Sequence, residues 1–225
     1  MRVVVAGATG LVGFELVKQL AMRSGLEITA LVRRIPQVDL TAVETRSPVN
    51  WRIFDFENPV EYAALAQENF DVTYCCLGTT RRKAGSAEAF RKVDLEFPQK
   101  LLEAVSKSHS IFCLVSSVGA DNPVGLYLQT KAQIENAVRQ SGLRFVIVRP
   151  SLLLGERNEF RFAELVAQKF SKPFKNLWVN NFGKKLARYA PIDAYQVAHA
   201  MINATLNQAP SPDGNVIEGR NFFEF

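Results

Sequence analysis

The chain has 225 residues, 48% of them hydrophobic and 22% charged, which is an ordinary globular composition and long enough for one domain with a full core. Its formal charge of +5 is mildly basic and spread along the sequence, so it suits an anionic ligand and does not indicate a nucleic-acid partner. Two histidines and three cysteines provide neither a repeated ligand spacing nor an even-numbered disulfide framework, and we expect no metal site.

Short apolar runs rich in β-branched residues alternate with amphipathic stretches from residue 2 to about 150. The runs predict strands at 2–6, 27–32, 50–54, 71–77, 111–116 and 143–149. The stretches predict helices at 12–20, 59–66, 86–107 and 126–140, the third of them jointed near Pro98. Repetition of strand, helix and strand implies right-handed crossovers, so we predict an α/β fold with a doubly wound parallel sheet.

A glycine-rich turn follows the first predicted strand and opens the first predicted helix. It contains Gly7, Gly10 and Gly13, a spacing that differs from the G-x-G-x-x-G of the standard dinucleotide fingerprint. Glycines let the backbone turn tightly and approach a pyrophosphate, while the helix N-terminus supplies amide donors and the positive end of a dipole. Because the turn lies between a strand and an amphipathic helix, we interpret it as a nucleotide-binding loop rather than as a turn alone.

Arg33 and Arg34 follow the second predicted strand, at about 20 residues beyond the last glycine. An Asp or Glu at this position would hold the adenosine ribose hydroxyls and favour NAD. Two guanidinium groups would instead bind a 2′-phosphate, whose charge is opposite to theirs. We therefore predict NADP(H) as the cofactor, the alternative being an arginine pair on a solvated face.

Tyr127 and Lys131 are four residues apart in the predicted helix at 126–140, so they lie on one face and their side chains can meet. The ammonium favours the phenolate, and the tyrosine can then exchange a proton with a substrate hydroxyl or carbonyl group. Ser116 and Ser117 close the fifth strand, and a serine hydroxyl there would hold the same substrate oxygen. We predict these four as catalytic residues, although the tyrosine–lysine spacing is also common on ordinary amphipathic helices.

The regular alternation fades after Pro150. Aromatic and basic residues are frequent between 151 and 190, where they would suit a nucleic-acid surface, but a helix packing its aromatic face on a core explains them better. The sequence then predicts a helix at 193–206 and a strand at 215–218. We expect a single domain over 1–225, in which 151–225 contribute a small irregular C-terminal lobe on the substrate side.

Six short motifs together resemble one protein superfamily. The first three are the glycine turn (7–13), two cysteines followed by Leu, Gly, Thr, Thr and Arg (75–81), and a Lys-Ala-Gly triplet (83–85). The other three are the serine segment (116–121), the tyrosine–lysine segment (127–131) and an Arg-Pro pair (149–150). This series resembles the short-chain dehydrogenase/reductase superfamily, and the double-cysteine run is typical of its atypical branch of Tat-interactive-protein-like NADPH-binding oxidoreductases. The resemblance covers most of the chain and implies a Rossmann-type doubly wound parallel sheet.

The resemblance also implies which residues touch the cofactor. The glycine turn would line the pyrophosphate, the two arginines would meet the 2′-phosphate, and the residues after the fourth strand would pass beside the adenosine or its ribose. Tyr127 and Lys131 would touch the nicotinamide ribose. The complete set of predicted cofactor-binding residues, apart from that pair, is Gly7, Thr9, Gly10, Leu11, Val12, Gly13, Arg33, Arg34, Leu77, Gly78, Leu153 and Arg161.

Two functions fit these residues. In the first, an NADPH-dependent oxidoreductase transfers a hydride to a small carbonyl substrate while Tyr127 donates the proton, and Ser116 or Ser117 orients the oxygen. In the second, a non-catalytic NADPH-binding protein senses redox state or presents a surface to a protein partner, because a fold does not determine a function. The sequence indicates neither the identity of the carbonyl or alcohol substrate nor the oligomeric state.

Cysteine usage and hydropathy bear on the location of the protein. Cys75 and Cys76 are adjacent inside an apolar run, which is typical of buried, reduced cysteines. The apolar residues after Arg2 are few, contain glycine and run into charged residues, unlike a signal peptide. Because no stretch reaches about 18 apolar residues, we expect no membrane span and a cytoplasmic location.

Overall fold

The computed structural model describes residues 1–37, 44–154 and 188–223. Its strands are β1 (Arg2–Ala6), β2 (Glu27–Val32), β3 (Val49–Ile53), β4 (Val72–Cys75), β5 (Ile111–Val115), β6 (Phe145–Arg149), β7 (Leu153–Leu154), β8 (Ile192–Asp193) and β9 (Asn215–Glu218). All seven strands predicted from the sequence are confirmed, with ends that differ by two residues at most. The short strands β7 and β8 pair with each other in a separate two-stranded sheet that was not predicted.

The main sheet has seven strands in the order β3-β2-β1-β4-β5-β6-β9. Every neighbouring pair is parallel, so all carboxyl ends lie at one edge of the sheet. Strand order reverses beside β1, whose neighbours are β2 and β4. A reversal of this kind opens a crevice at the carboxyl edge, which is where ligands bind in open α/β sheets.

The α-helices are α1 (Leu11–Ala21), α2 (Pro59–Leu65), α3 (Arg81–Ala84), α4 (Ala87–Arg91), α5 (Phe97–Val105), α6 (Gly125–Gln140) and α7 (Ala194–Ile202). A π-helical turn at Lys92–Glu96 joins α4 to α5, and it is the joint predicted near Pro98. Pro98 has no N–H to bond the carbonyl four residues earlier, and its ring crowds that carbonyl. The single turn α3 has Thr80 as its N-cap, and the Thr80 hydroxyl accepts a hydrogen bond from the Lys83 N–H.

Two apolar cores cover the two faces of the sheet. Alternate residues of β1 point to opposite faces: Val3 and Val5 pack with α1 and α7, whereas Val4 and Ala6 pack with α2, α5 and α6. All four of these side chains are fully buried. The predicted doubly wound parallel sheet is therefore confirmed.

The described part of the predicted C-terminal lobe is more regular than we expected. Strand β9 extends the main sheet beside β6, and α7 packs on α1. A second π-helical turn, Asn203–Asn207, continues α7, and a 3-10 turn, Gly219–Phe223, follows β9. The aromatic and basic part of the lobe lies outside the described residues.

Candidate cofactor and active site

The three glycines of the turn differ in what surrounds them. Gly7 has a φ of +81°, and a Cβ on it would lie 2.5 Å from the carbonyl oxygen of Cys76. A Cβ on Gly13 would lie 2.2 Å from the Gly7 carbonyl oxygen. Gly10 is exposed, and a Cβ on it would lie 3.2 Å from the same Gly7 carbonyl oxygen. Gly7 and Gly13 are thus required for close packing, whereas Gly10 is exposed and has only this one contact.

The N-terminus of α1 is suited to an anion. Gly10 caps the helix without a side-chain hydrogen bond, so no side chain of the cap takes up the first amides. The residues predicted to line a pyrophosphate are placed around this end: Thr9 is exposed, Leu11 is half-buried and Val12 is in the core. A pyrophosphate fits the N-terminus of α1, because the dipole of a helix and the amides of its first turn both favour negative charge.

The other predicted cofactor residues flank the glycine turn on both sides. Arg33 and Arg34 are exposed directly after β2, which pairs with β1 on one side. Leu77 and Gly78 follow β4, which pairs with β1 on the other. Leu153 is half-buried in β7, whereas Arg161 lies outside the described residues.

Tyr127 and Lys131 lie on successive turns at the start of α6. Tyr127 is 42% exposed, and its ring centroid lies 6.0 Å from that of Phe90. Lys131 is only 5% exposed, and its Nζ lies 3.0 Å from Asp94 Oδ1. Burial opposes the charge of Lys131, but the Asp94 carboxylate outweighs this effect and the pKa of Lys131 is raised.

Asp94 is the site residue that the sequence analysis missed. It is buried in the π-helical turn between α4 and α5, where its Oδ2 accepts a hydrogen bond of 2.8 Å from the Thr79 N–H. The carboxylate therefore connects the loop after β4 with Lys131 of α6. Two features mark it. One is its position as an acidic residue between Val93 and Leu95, on an apolar side of a helix. The other is the π-helical turn that contains it, because such turns are frequent at functional sites.

The two predicted serines have different surroundings. Ser116 is buried, and its hydroxyl donates a hydrogen bond of 2.6 Å to Glu135 Oε1. In this arrangement Ser116 cannot also donate to a substrate. Ser117 is half-buried, and its hydroxyl lies 3.3 Å from the Val118 carbonyl oxygen.

Glu135 is the centre of a chain of polar contacts that we call the Glu135 cluster. Arg149 donates to Glu135 through Nε at 2.9 Å and Nη2 at 2.6 Å, and its Nη1 lies 3.3 Å from Glu218. Arg188 lies 3.9 Å from Glu218 and donates a hydrogen bond of 2.6 Å to Asp121, which lowers the pKa of Asp121. The cluster begins at Ser116 and ends at Asp121, so it fixes both ends of the loop that contains Ser117.

The cysteines show no sign of a nucleophile or a metal site. Burial raises the pKa of Cys75 to about 11, and burial also raises the pKa values of Cys76 and Cys113. Among the described residues there is no group of three or more His, Cys, Asp and Glu side chains that could hold a metal ion. Within the same ranges, no helix has the length and apolar character needed to cross a membrane.

A family model described as NAD(P)H-binding matches residues 7–176. The chain belongs to this NAD(P)H-binding family. Among its relatives, protein HTATIP2 of Rattus norvegicus is 34% identical over 220 residues, which are 96% of this chain and 84% of the relative. Mitochondrial protein FMP52 of Candida albicans is 33% identical over 208 residues, which are 90% of this chain and 87% of the relative. The predicted resemblance to atypical short-chain dehydrogenases is confirmed.

Solved structures agree with the family in fold. The UDP-glucuronic acid 4-epimerase of Bacillus cereus in complex with NAD has a TM-score of 0.69 at 19% identity, over 98% of this chain and 78% of that chain. MoeE5 in complex with UDP-glucuronic acid and NAD has a TM-score of 0.70 at 16% identity, over 96% of this chain and 75% of that chain. At these identities the similarity shows the Rossmann-type fold alone.

The predicted cytoplasmic location is wrong. Relatives from several fungi, including Candida albicans and Lodderomyces elongisporus, are named as mitochondrial proteins. The prediction depended on reduced cysteines and on the lack of a long apolar stretch. These features separate oxidising from reducing compartments and do not separate one reducing compartment from another.

Proposed function

We propose that this chain is an NADPH-dependent oxidoreductase that reduces a small carbonyl compound. The observation that carries the proposal is the pairing of exposed Tyr127 with buried, charged Lys131 on successive turns of α6. The pair lies at the end of the sheet that also carries the glycine turn, because α6 follows the carboxyl end of β5. Membership of an NAD(P)H-binding family supports the nicotinamide cofactor.

A bound NADPH supplies the hydride, and the chain supplies the proton. The Tyr127 hydroxyl donates its proton to the carbonyl oxygen as the carbonyl carbon receives the hydride pair, which leaves an alcohol and a phenolate. The Lys131 ammonium stabilises that phenolate, and the exposure of Tyr127 lets it regain a proton from water. Ser117 donates its hydroxyl to the same carbonyl oxygen in exchange for its long hydrogen bond of 3.3 Å to the Val118 carbonyl oxygen, whereas Ser116 is held by a hydrogen bond of 2.6 Å to the Glu135 carboxylate.

The preference for NADPH over NADH rests on Arg33 and Arg34. Both are exposed after β2, on one side of the glycine turn, where the adenosine end of the cofactor would lie. Each charge-assisted contact with a 2′-phosphate contributes about 1.5–3 kcal/mol, so the preference should exceed about tenfold. We further propose that 1–225 act as one domain with 151–225 on the substrate side, and the names of the fungal relatives favour a mitochondrial location.

The experiment that tests the proposal is NADPH oxidation at 340 nm across a panel of carbonyl compounds. Tyr127→Phe keeps the ring and removes the proton donor, so turnover should fall by roughly 10²- to 10⁴-fold while NADPH affinity changes little. Tyr195→Phe is a matched control, because Tyr195 is an exposed tyrosine on α7 that stacks on His199. Lys131→Met should weaken both turnover and NADPH binding.

Two results would contradict the proposal. A Tyr127→Phe chain that turns over at the parent rate would exclude the tyrosine as the proton donor. A parent chain that binds NADPH and reduces no carbonyl compound would favour the non-catalytic alternative, in which the nucleotide-bound protein senses redox state or binds a protein partner.

A further inference from the structure

The segment between β5 and α6 (116–124), which we call the Ser117 loop, is held at its start by backbone hydrogen bonds. The N–H of the residue before Ser117 donates to a carbonyl oxygen of β6 at 2.8 Å. The Val118 N–H donates to the Pro150 carbonyl oxygen at 3.1 Å. Both neighbours of Ser117 are therefore tied to the end of the sheet.

The second half of the Ser117 loop is held by a side chain. The Ala120 N–H donates a hydrogen bond of 3.2 Å to the Ser117 carbonyl oxygen, which closes a turn. Asp121 is the next residue, and its Oδ1 accepts a hydrogen bond of 2.6 Å from Arg188 Nη2. A displacement of Asp121 would therefore reach Ser117 through the Ala120 amide.

Arg188 is itself fixed in orientation by the Glu135 cluster. It lies 67 residues beyond Asp121, in a segment that the pairing of β7 with β8 joins to the chain after β6. Its Nη1 lies 3.9 Å from Glu218, which pairs in turn with Arg149 at 3.3 Å. Arg149 is held by the buried Glu135 carboxylate at 2.6 Å. The guanidinium group thus offers Asp121 a donor in a defined place.

The pair of Asp121 and Arg188 is poorly suited to stabilise the fold. The Asp121 side chain is 39% exposed and the Arg188 side chain is 25% exposed. Ion pairs that are open to water contribute little to the free energy of unfolding, because solvent screens the charges and two side chains must be ordered. A short charge-assisted hydrogen bond does, however, fix distance and direction. The pair is therefore better suited to placing the loop than to stabilising the chain.

Ser117 needs such a restraint. Its hydroxyl lies 3.3 Å from the Val118 carbonyl oxygen, which is long for a hydroxyl donor. A misplacement of about 1 Å at a reacting centre can cost about 100-fold in rate. We propose that Asp121 and Arg188 are positioning residues for the reduction, which hold the Ser117 loop so that the serine hydroxyl meets the carbonyl oxygen. This inference rests on the proposed function, in which Ser117 donates to that oxygen.

Asp121→Ala, made with and without Ser117→Ala, tests the inference. With Ser117 present, it should lower kcat by about 10- to 100-fold for the panel carbonyl compound that the parent chain reduces fastest. With Ser117→Ala, it should lower kcat by less than about twofold, because the loop no longer has a hydroxyl to place. NADPH affinity in calorimetry and the free energy of unfolding in urea should change little. A merely structural role would lower kcat equally with and without Ser117.

A second variant and a control accompany this test. Arg188→Met should lower kcat as Asp121→Ala does, and Arg188→Lys should lower it less, because an ammonium can still donate to Asp121. The Ala120 amide should exchange its hydrogen faster in Asp121→Ala, which reports on the loop without a substrate. Glu27→Ala is the matched control, because it breaks an exposed ion pair of 3.3 Å with Arg2 at the amino end of β2. It should change neither kcat nor this exchange rate.

The outcomes separate this inference from the proposed function. An equal loss of kcat with and without Ser117 overturns the inference, and so does parent turnover in Asp121→Ala. An unchanged exchange rate at the Ala120 amide also overturns it. A Ser117→Ala chain with parent turnover overturns the inference and leaves Tyr127 as the proposed proton donor. A parent chain that reduces no carbonyl compound overturns the proposed function, and the inference with it.

Discussion

Substitution should separate the glycine that serves the ligand from a glycine that serves the fold. A Cβ on Gly13 would lie 2.2 Å from the Gly7 carbonyl oxygen, so Gly13→Ala must push two backbone segments apart. Overpacking of this kind lowers the free energy of unfolding by about 1–3 kcal/mol. Gly10 has a φ of −72° and a Cβ contact of 3.2 Å, so Gly10→Ala should change that free energy by less than about 1 kcal/mol.

NADPH binding should show the opposite order. Gly10 is exposed at the start of α1, and the larger side chain of Gly10→Val would stand in front of the amides that a pyrophosphate needs. Loss of even one charge-assisted hydrogen bond, worth about 1.5–3 kcal/mol, weakens binding at least about tenfold. We expect Gly10→Ala to have a smaller effect in the same direction.

Two measurements check this prediction: urea unfolding of each variant and calorimetric titration with NADPH. Gly13→Ala serves as the stability control, and its remaining folded fraction should still bind NADPH. A Gly10→Val chain that folds and binds NADPH with the parent affinity would refute the reasoning. So would a Gly10→Ala chain that loses as much stability as Gly13→Ala.

Three further predictions concern charge and burial. Arg33→Ala with Arg34→Ala should reduce the NADPH-to-NADH affinity ratio by at least about tenfold in calorimetry, and an unchanged ratio would exclude the 2′-phosphate contact. Glu135→Leu leaves Arg149 buried without its main partner and should lower the free energy of unfolding by about 3–5 kcal/mol; a loss under about 1 kcal/mol in urea unfolding would contradict this. Burial raises the pKa of Cys75 to about 11, so Ellman's reagent at pH 8 should react far faster with the urea-unfolded chain than with the native chain. The rate of reaction with the native chain should rise as the pH approaches 11. Equal rates for the two forms at pH 8 would count against burial of the thiols.

The sheet could be predicted because its central strands are buried on both faces. In β1 the four residues after Arg2 are all apolar, so the limits of the strand are visible in the sequence. The ends of β4 were less clear, since the run continues into Cys76 and Leu77, which are apolar but lie beyond the last ladder pair. Helix α3 could not be predicted, because a single capped turn is too short for a hydrophobic period.

The arrangement of the candidate site was predictable where it depends on local sequence and not where it depends on packing. The glycine turn and the Tyr127–Lys131 pair each lie within one short segment. Asp94 belongs to a different segment from Lys131, and only the packing of the π-helical turn against α6 brings them together. The difference in surroundings between Ser116 and Ser117 likewise depends on a carboxylate, Glu135, that lies in another segment of the chain.

The Glu135 cluster also sets an order in which the site can be completed during synthesis. The glycine turn and its flanking strands β1, β2 and β4 all lie before residue 76. Arg188 and Glu218, which hold the far end of the Ser117 loop, are translated more than 100 residues later. Contacts between residues so distant in sequence form late, because the intervening chain must first be ordered. A nascent chain should therefore complete the glycine turn and its flanking strands before the loop that contains Ser117 is held in place.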